Sequence, residues 1–220
     1  MTAYREPGHG NYSSASITEQ AVQSPVNAER LAPIPEAELS DAQRELTKVY
    51  RAGWRRSLAH PNGGLGGPLD ATLRSPGFAR AFMAVSDYMR SGSHVPADLK
   101  ELTILMVARK QKCGFQWHSH VPVAQEAGLS REAVRAVRDQ RRPHDLTEAQ
   151  AATHDAVKEL LETQRISDSA FKALKERVGA ELLIDIVGIA GYYMALAMIL
   201  NTAQVVHLQP VAEDLPISGT

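Results

Sequence analysis

The sequence is poor in the features that would assign it to a class at once. Its one cysteine, Cys113, excludes an intrachain disulfide and a cysteine-rich zinc site. The chain also has no large excess of positive or negative charge, because 24 Lys and Arg residues balance 25 Asp and Glu residues. There is therefore no electrostatic argument for a nucleic acid or an anionic membrane as partner. Phosphate-binding glycine motifs, nucleophile elbows and dinucleotide fingerprints are absent, so no cofactor is predicted.

Long uninterrupted hydrophobic runs are also missing. The longest apolar stretch, residues 182–200, contains Asp185, two glycines and two tyrosines. This mixture favours a helix buried among other helices over a membrane span. No apolar run follows Arg5, so the N-terminus does not resemble a secretory signal. With the lone cysteine, these features predict a soluble cytoplasmic protein that has no membrane partner.

Basic residues cluster at only one place in the sequence. The cluster consists of Arg135, Arg138, Arg141 and Arg142, and Asp139 interrupts it. We interpret it as the solvated face and end of a helix rather than a binding surface.

Helix signals recur along the chain, whereas the alternation typical of strands does not. Capping boxes begin at Ser40 and Thr147, and Ser75, Ser130 and Ser167 are further N-cap candidates. A stripe of Phe78, Phe82, Val85 and Met89 is expected to face the core, and Gly179 is expected to separate the last two helices. The prediction is an all-α fold of about seven to eight helices.

The ends of the chain differ in composition from its centre. Residues 1–35 are rich in Gly, Ser, Pro and Asn and predict a flexible arm. Residues 36–205 then form the helical domain, and residues 206–220 form a C-terminal tail. Residues 60–68 contain four glycines and two prolines, which predicts either a loop over a site or a plain connector.

Chemistry-bearing residues concentrate in residues 99–120. Glu101 shares a helical face with apolar residues, so its carboxylate either points inward or is a first-turn glutamate stabilised by the helix dipole. Cys113, Gln116 and His120 follow at helical spacing on one face of the next helix. Cys113 is either a helix N-terminal thiol with a lowered pKa or a small buried hydrophobe. His118 and His120 point to opposite sides of that helix, so no metal site is predicted.

These residues carry a resemblance to a known family. The spacing from Glu101 to Cys113, followed by Gln116, Trp117 and residues 120–124, resembles the carboxymuconolactone decarboxylase and alkylhydroperoxidase D (AhpD-like) superfamily. Later segments agree: residues 127–134 resemble the short helix after the family's histidine, and residues 183–201 resemble its closing helix. The likeness covers about residues 36–205 and implies an all-α, homo-oligomeric protein (dimer, trimer or hexamer).

The resemblance also implies roles for the site residues. Cys113 matches the first cysteine of the peroxidase branch, Glu101 its glutamate and His120 its histidine, so all three are catalytic candidates. Gln116 replaces the second cysteine, and without a resolving thiol the dithiol cycle does not run within one chain. The decarboxylase-like branch often has a glutamate where this chain has Gln116.

Three functions follow from this pattern. The preferred one is acid–base chemistry, namely decarboxylation, isomerisation or lactone handling, on a small carbonyl or carboxylate compound. His120 would be the acid or base, Glu101 would orient it, and Gln116 and Trp117 would bind substrate. The second is single-cysteine alkylhydroperoxidase or peroxiredoxin activity at Cys113 with an external resolving thiol. The third is a non-catalytic binding protein on the same fold.

Overall fold

A computed structural model describes residues 30–52, 64–207 and 214–215, and within these residues the chain is helical without strands. The all-α prediction is confirmed. In the described part of the chain eight helices follow one another, with a 3₁₀ turn before the first and a π turn after the third: α1 (Asp41–Ala52), α2 (Pro68–Thr72), α3 (Pro76–Asp87), α4 (Ala97–Lys110), α5 (Gly114–Glu126), α6 (Arg131–Arg138), α7 (Glu148–Thr163) and α8 (Asp168–Ala203).

Helix α4 is the centre of the molecule. It packs against α5, α6, α7 and α8, and every residue from Glu101 to Ala108 is buried. A helix that is apolar nearly all round has no solvent face and must be enclosed by others. The sequence pattern of α4 therefore explains its position.

Four of the five predicted helix starts are confirmed by side-chain cap hydrogen bonds, whereas Ser75 precedes α3 without making one. At α1 the Ser40 amide donates to the Gln43 side chain (2.9 Å), and the Gln43 amide donates to the Ser40 hydroxyl (3.3 Å). Thr147 forms the same reciprocal pair at α7, and Ser130 and Ser167 cap α6 and α8. These side chains satisfy amides that the first turn leaves without a partner.

Helix α8 contains the predicted break at Gly179, whose φ of 84° is a left-handed conformation that glycine adopts without strain. By length and composition α8 is the one helix in the described parts of the chain that is a weak candidate for a membrane span. A core helix passes the same test, and Leu183, Ile186 and Ile189 lie in one buried cluster with α4. Asp185, which interrupts the apolar run, accepts hydrogen bonds from Tyr88 and Ser93.

The predicted core stripe of α3 is only half right. Met89 is buried, but Phe78 is 48% exposed and Val85 is 42% exposed. The helical spacing of these residues correctly predicted that they share one apolar face. It could not show whether that face packs against the core of the same chain. The homo-oligomer implied by the resemblance stays a prediction.

The segment before α3 contains a helix that the sequence analysis missed. Residues 60–63 lie outside the described residues, but residues 64–67 lead directly into α2, which has Pro68 at its first position. The buried Asp70 carboxylate accepts hydrogen bonds from the amides of Leu65 (3.1 Å) and Gly66 (2.9 Å). The end of this loop is therefore a fixed structure.

Parts of the predicted arm and tail pack on the helices. Residues 1–29, 208–213 and 216–220 lie outside the described residues, so most of the predicted arm and tail does too. The Arg30 amide donates to the Ala203 carbonyl (3.0 Å), and Arg74 donates to the Ala32 carbonyl (2.6 Å). Leu215 is buried in the main core cluster.

Candidate active site

The site is built around one carboxylate–imidazole pair. The Oε2 atom of Glu101 on α4 lies 2.7 Å from Nδ1 of His120 on α5. Glu101 is 6% exposed, so its carboxylate points inward, as one of the two sequence readings predicted. A buried carboxylate needs such a partner, because an unpaired charge in the interior is costly. The pair fixes the imidazole ring and leaves Nε2 as its second functional atom.

His120 lies in the wall of a cavity of about 190 Å³. The lining is mostly apolar and aromatic, with a few polar groups. It consists of Tyr50, Pro68, Leu69, Thr72, Ala79, Phe82, Met83, Ser86, Arg90, Phe115, Ser119, His120, Tyr192, Tyr193 and Leu196. An apolar pocket with a few convergent polar groups is the usual form of a small-molecule site.

Two adjacent tyrosines of α8 form the aromatic wall. The Tyr193 ring meets the His120 ring edge-on with centroids 5.2 Å apart, and Tyr192 stacks on Phe82 at 4.4 Å. Burial raises the pKa of Tyr193 strongly, and the negative charge of Glu101 raises it further. Tyr193 therefore presents a neutral hydroxyl to the cavity at any ordinary pH.

One permanent cation lines this cavity. Among the lining residues that the structure describes, Arg90 is the only Lys or Arg, and its positive charge acts on Tyr193. It comes from the π turn Tyr88–Gly92 that continues α3, and π turns frequently occur at functional sites. A guanidinium in an otherwise apolar pocket is suited to a carboxylate.

The opposite wall is formed by α2 and the start of α5. Pro68 and Leu69 of α2 line the cavity beside Phe115. Gly67 has φ of 54°, and a Cβ atom there would lie 3.0 Å from the Phe115 ring. Among the residues described, the end of the glycine-rich segment therefore brings its backbone close to an aromatic ring of the cavity wall, and both interpretations of the segment stay predictions.

Cys113 lies outside this lining. It is 0% exposed and belongs to a small apolar cluster with Ala197 and Leu200 of α8. Burial raises the pKa of the Cys113 thiol to about 11, although the Gln116 backbone amide opposes this. Of the two interpretations that the sequence left open, the structure therefore favours the small buried hydrophobe over the thiol with a lowered pKa, because desolvation outweighs the N-terminal position on α5.

Gln116 and Trp117 also lie away from the cavity surface. Trp117 is fully buried in the main core cluster. Gln116 is 2% exposed, and among the residues that the structure describes neither its amide oxygen nor its amide nitrogen has a hydrogen-bond partner. The two substrate-binding candidates therefore face the interior and do not line the cavity that contains His120.

The two histidines of α5 have separate environments, as their spacing predicts. Nε2 of His118 lies 2.9 Å from Asp214 of the tail, and the His118 ring stacks on His207. Within the residues that the structure describes, no group of three His, Cys, Asp or Glu side chains is arranged to hold a metal.

Sequence reasoning missed Arg90, Tyr193 and the aromatic residues of the lining. Tyr192 and Tyr193 had a usable signal, because two hydroxyls in an otherwise apolar closing helix need polar surroundings. Arg90 had none, because nothing in its local sequence separates it from an ordinary helix-end arginine.

Part of the chain matches a known protein family. Residues 76–159 match the carboxymuconolactone decarboxylase family, and this segment contains Arg90, Glu101, Cys113 and His120. No curated protein matches the chain with significant sequence similarity.

Solved structures share the fold at low sequence identity. An AhpD-like protein of unknown function from Agrobacterium tumefaciens is 22% identical, with a TM-score of 0.56 over 64% of this chain and 95% of that one. A peroxidase-related protein with an alkylhydroperoxidase AhpD core from Ralstonia eutropha is 19% identical, with a TM-score of 0.61 over 83% and 93%. The debrominase Bmp8, in complex with 2,3,4-tribromopyrrole, is 18% identical, with a TM-score of 0.61 over 83% and 92%.

Proposed function

We propose that this chain is an enzyme that moves protons on a small carbonyl compound carrying a carboxylate. Its residues 76–159 match the carboxymuconolactone decarboxylase family, and its fold is shared with AhpD-like proteins, which supports placing it in that superfamily. The observation that carries the proposal is the 2.7 Å pair of Glu101 and His120 in the wall of an apolar cavity. An imidazole held by a buried carboxylate is a common arrangement for a general acid or base.

Four polar or charged groups of the site have a role in this reaction. Arg90 binds the substrate carboxylate, and the apolar and aromatic walls enclose its carbon skeleton. His120 removes a proton from the carbon next to the carbonyl, or protonates the carbanion left by loss of CO₂. Glu101 stabilises the imidazolium formed in the first case, and the Tyr193 hydroxyl donates a hydrogen bond to the developing enolate oxygen.

The size and character of the cavity set the substrate class. About 190 Å³ bounded by aromatic rings suits a single ring or a short branched skeleton. Bmp8, which shares the fold, is in complex with 2,3,4-tribromopyrrole, a compact aromatic ring. This supports a γ-lactone or a β-keto acid of similar size as substrate here.

The position of Cys113 favours acid–base over thiol chemistry. A thiol that is fully buried and has a pKa of about 11 is almost entirely protonated at neutral pH. The thiolate is the nucleophile in peroxide reduction, so such a site reacts slowly. His120, by contrast, meets the cavity directly.

Hydrogen–deuterium exchange tests the proposal without a known product. The full chain is incubated in D₂O with a panel of γ-lactone carboxylates and β-keto acids, and ¹H NMR follows loss of C–H signals and of substrate. We expect exchange or decarboxylation in the wild type and in Cys113→Ala. His120→Gln is expected to be slower by about 10²-fold or more, whereas His144→Gln, an exposed loop histidine, is the matched control.

Two outcomes would contradict the proposal. One is the absence of exchange and turnover with every member of the panel. The other is activity that Cys113→Ala abolishes and His120→Gln leaves intact, which would favour thiol chemistry instead.

A further inference from the structure

A second cavity lies at the other end of α4 from Glu101. Its volume is about 80 Å³, and it forms where the end of α4 meets the end of α6, the following loop and α7. Its lining consists of Met106, Arg109, Lys110, Val137, Gln140, Arg141, His154, Lys158, Leu161 and Glu162. None of these residues lines the cavity that contains His120.

Positive charge is concentrated around this second cavity. Four of its lining residues are Lys or Arg and one is a carboxylate, in a chain whose formal net charge is −1. Arg141 is also one of the four arginines that the sequence analysis interpreted as a solvated helix face and end. The fold brings it together with cations from α4 and α7, which no local pattern reveals.

Two of these four cations form only long ion pairs with their neighbours. Arg141 lies 3.5 Å from both Glu132 and Asp139, and Lys158 lies 3.6 Å from Glu162. Exposed pairs at such distances contribute little and are easily exchanged for another anion. The electrostatic potential of the cavity mouth therefore stays positive and attracts anions.

A buried histidine supplies a fixed polar group in the wall. His154 is 4% exposed, and its Nδ1 lies 2.9 Å from Oδ1 of Asp155. Asp155 is held in turn by Arg142 through two hydrogen bonds of 2.8 and 2.9 Å, which lowers the pKa of Asp155. Asp155 therefore accepts the Nδ1 proton, which leaves Nε2 of His154 as the ring atom that can meet a ligand.

The floor of the cavity is apolar, because Met106, Val137 and Leu161 line it. We propose that this cavity binds a small organic anion, in which a phosphate or carboxylate group is attached to a short apolar group. The Lys and Arg side chains hold the anionic oxygens, His154 donates from Nε2 when protonated, and the floor covers the apolar end. The small volume excludes long chains.

Titration with ethyl phosphate tests the proposal in the full-length protein. Amide signals in ¹H–¹⁵N NMR spectra report where the ligand binds, and triethyl phosphate, its neutral relative, is the ligand control. We expect saturable shifts at residues 106–110, 137–141 and 154–162 with ethyl phosphate alone. Higher salt should weaken this binding, because the attraction is electrostatic. Acetate and butyrate then show whether carboxylates bind as well.

A double variant and a matched control separate specific binding from general charge effects. Lys110→Gln with Lys158→Gln removes two cavity cations, and Lys172→Gln with Lys175→Gln removes two exposed cations from α8. We expect a dissociation constant at least fivefold higher in the first variant and within twofold of wild type in the second. Equal weakening in both, or no saturable shift in the wild type at these residues, would overturn the proposal.

Discussion

Nδ1 of His120 and Oε2 of Glu101 lie 2.7 Å apart although 19 positions and a change of helix separate the two residues. Their meeting depends on how α4 and α5 pack, and these two helices are joined by a short turn, residues 111–113. At that turn Lys112 adopts a left-handed φ of 51°. The pair also separates two roles: Glu101 is enclosed by the core, whereas His120 reaches the cavity.

The carboxylate of Glu101 is expected to support catalysis by His120. Glu101→Gln keeps the size of the side chain but removes the negative charge that stabilises an imidazolium at His120. We expect the exchange rate in D₂O to fall by about 10²-fold, with the cavity still formed. The measurement is ¹H NMR exchange with a substrate found in the panel, together with a thermal melt to show that the variant is folded. An unchanged rate would mean that Glu101 has only a structural role.

Tyr193→Phe separates the hydroxyl from the ring. The ring contacts with His120 and Tyr192 are retained, so the fold should be unaffected. If the hydroxyl donates to an enolate oxygen, kcat falls by about 10-fold to 10²-fold while KM changes little, because that bond strengthens only in the transition state. Steady-state kinetics provide the measurement. A change confined to KM would instead assign Tyr193 to ground-state binding.

Gln116 provides a stability test. Both polar atoms of its buried amide lack a partner in the described structure, and an unsatisfied buried group costs about 1–3 kcal/mol. Gln116→Met is therefore expected to raise the free energy of unfolding in urea by roughly that amount, whereas Gln116→Glu should lower it, because it buries a charge. A destabilised Met variant would show that the amide has a partner, such as bound water or a substrate. Gln116 would then again be a candidate for substrate binding.

The thiol of Cys113 gives a prediction with a pH sign. Its pKa rises from about 9 in the unfolded chain to about 11 in the folded one, so the folded state holds the proton more tightly. The resulting contribution to stability is complete below pH 9 and is lost as the pH rises through 11, by about 2–3 kcal/mol. Urea unfolding of wild type and Cys113→Ala between pH 8 and 11 measures it, and the wild type should lose more stability than the variant. Parallel curves would show that burial does not raise the pKa of the Cys113 thiol.

The same burial predicts slow chemistry at Cys113. Iodoacetamide at pH 8 should alkylate the native thiol about 10²-fold more slowly than the thiol of the urea-unfolded chain, because the folded site contains little thiolate and gives little access. Mass spectrometry of timed samples provides the measurement. Rapid alkylation of the native protein would favour the peroxidase function over the acid–base one.

The sequence predicted local structure well because the signals are local. The cap residues Ser40, Ser130, Thr147 and Ser167 begin helices where expected, since each N-cap bond joins residues three apart. The break at Gly179 is likewise a property of one residue. Helix α2 was missed because five residues after a glycine-rich loop give no period to detect.

Features that depend on tertiary packing were harder to predict from the sequence. The thiol of Cys113 is buried by Ala197 and Leu200, more than 80 positions along the chain, so its position at a helix end could not decide between a lowered pKa and a buried hydrophobe. Phe78 and Val85 follow a helical period, but the period does not say that their face is exposed. Arg90 became a site residue only because α3 and α8 bring it to the same cavity as His120.

Gly67 tests whether the wall formed by α2 shapes the cavity. Gly67→Ala places a Cβ atom at a position with φ of 54° and 3.0 Å from the Phe115 ring, so both the backbone and the ring must move. We expect a loss of about 1–3 kcal/mol in the free energy of unfolding, since strained positive-φ residues cost about that much. Gly77→Ala is the matched control, because it lies within α3 with nothing within 4 Å of its Cβ. In a helix this change should be neutral or stabilising by up to about 1 kcal/mol.

Phe115 lines the cavity beside His120, so the Gly67 variant should also raise KM while Gly77→Ala leaves it unchanged. Equal stability and equal KM in the two variants would show that residue 67 and the Phe115 ring adjust freely and that this wall does not define the site.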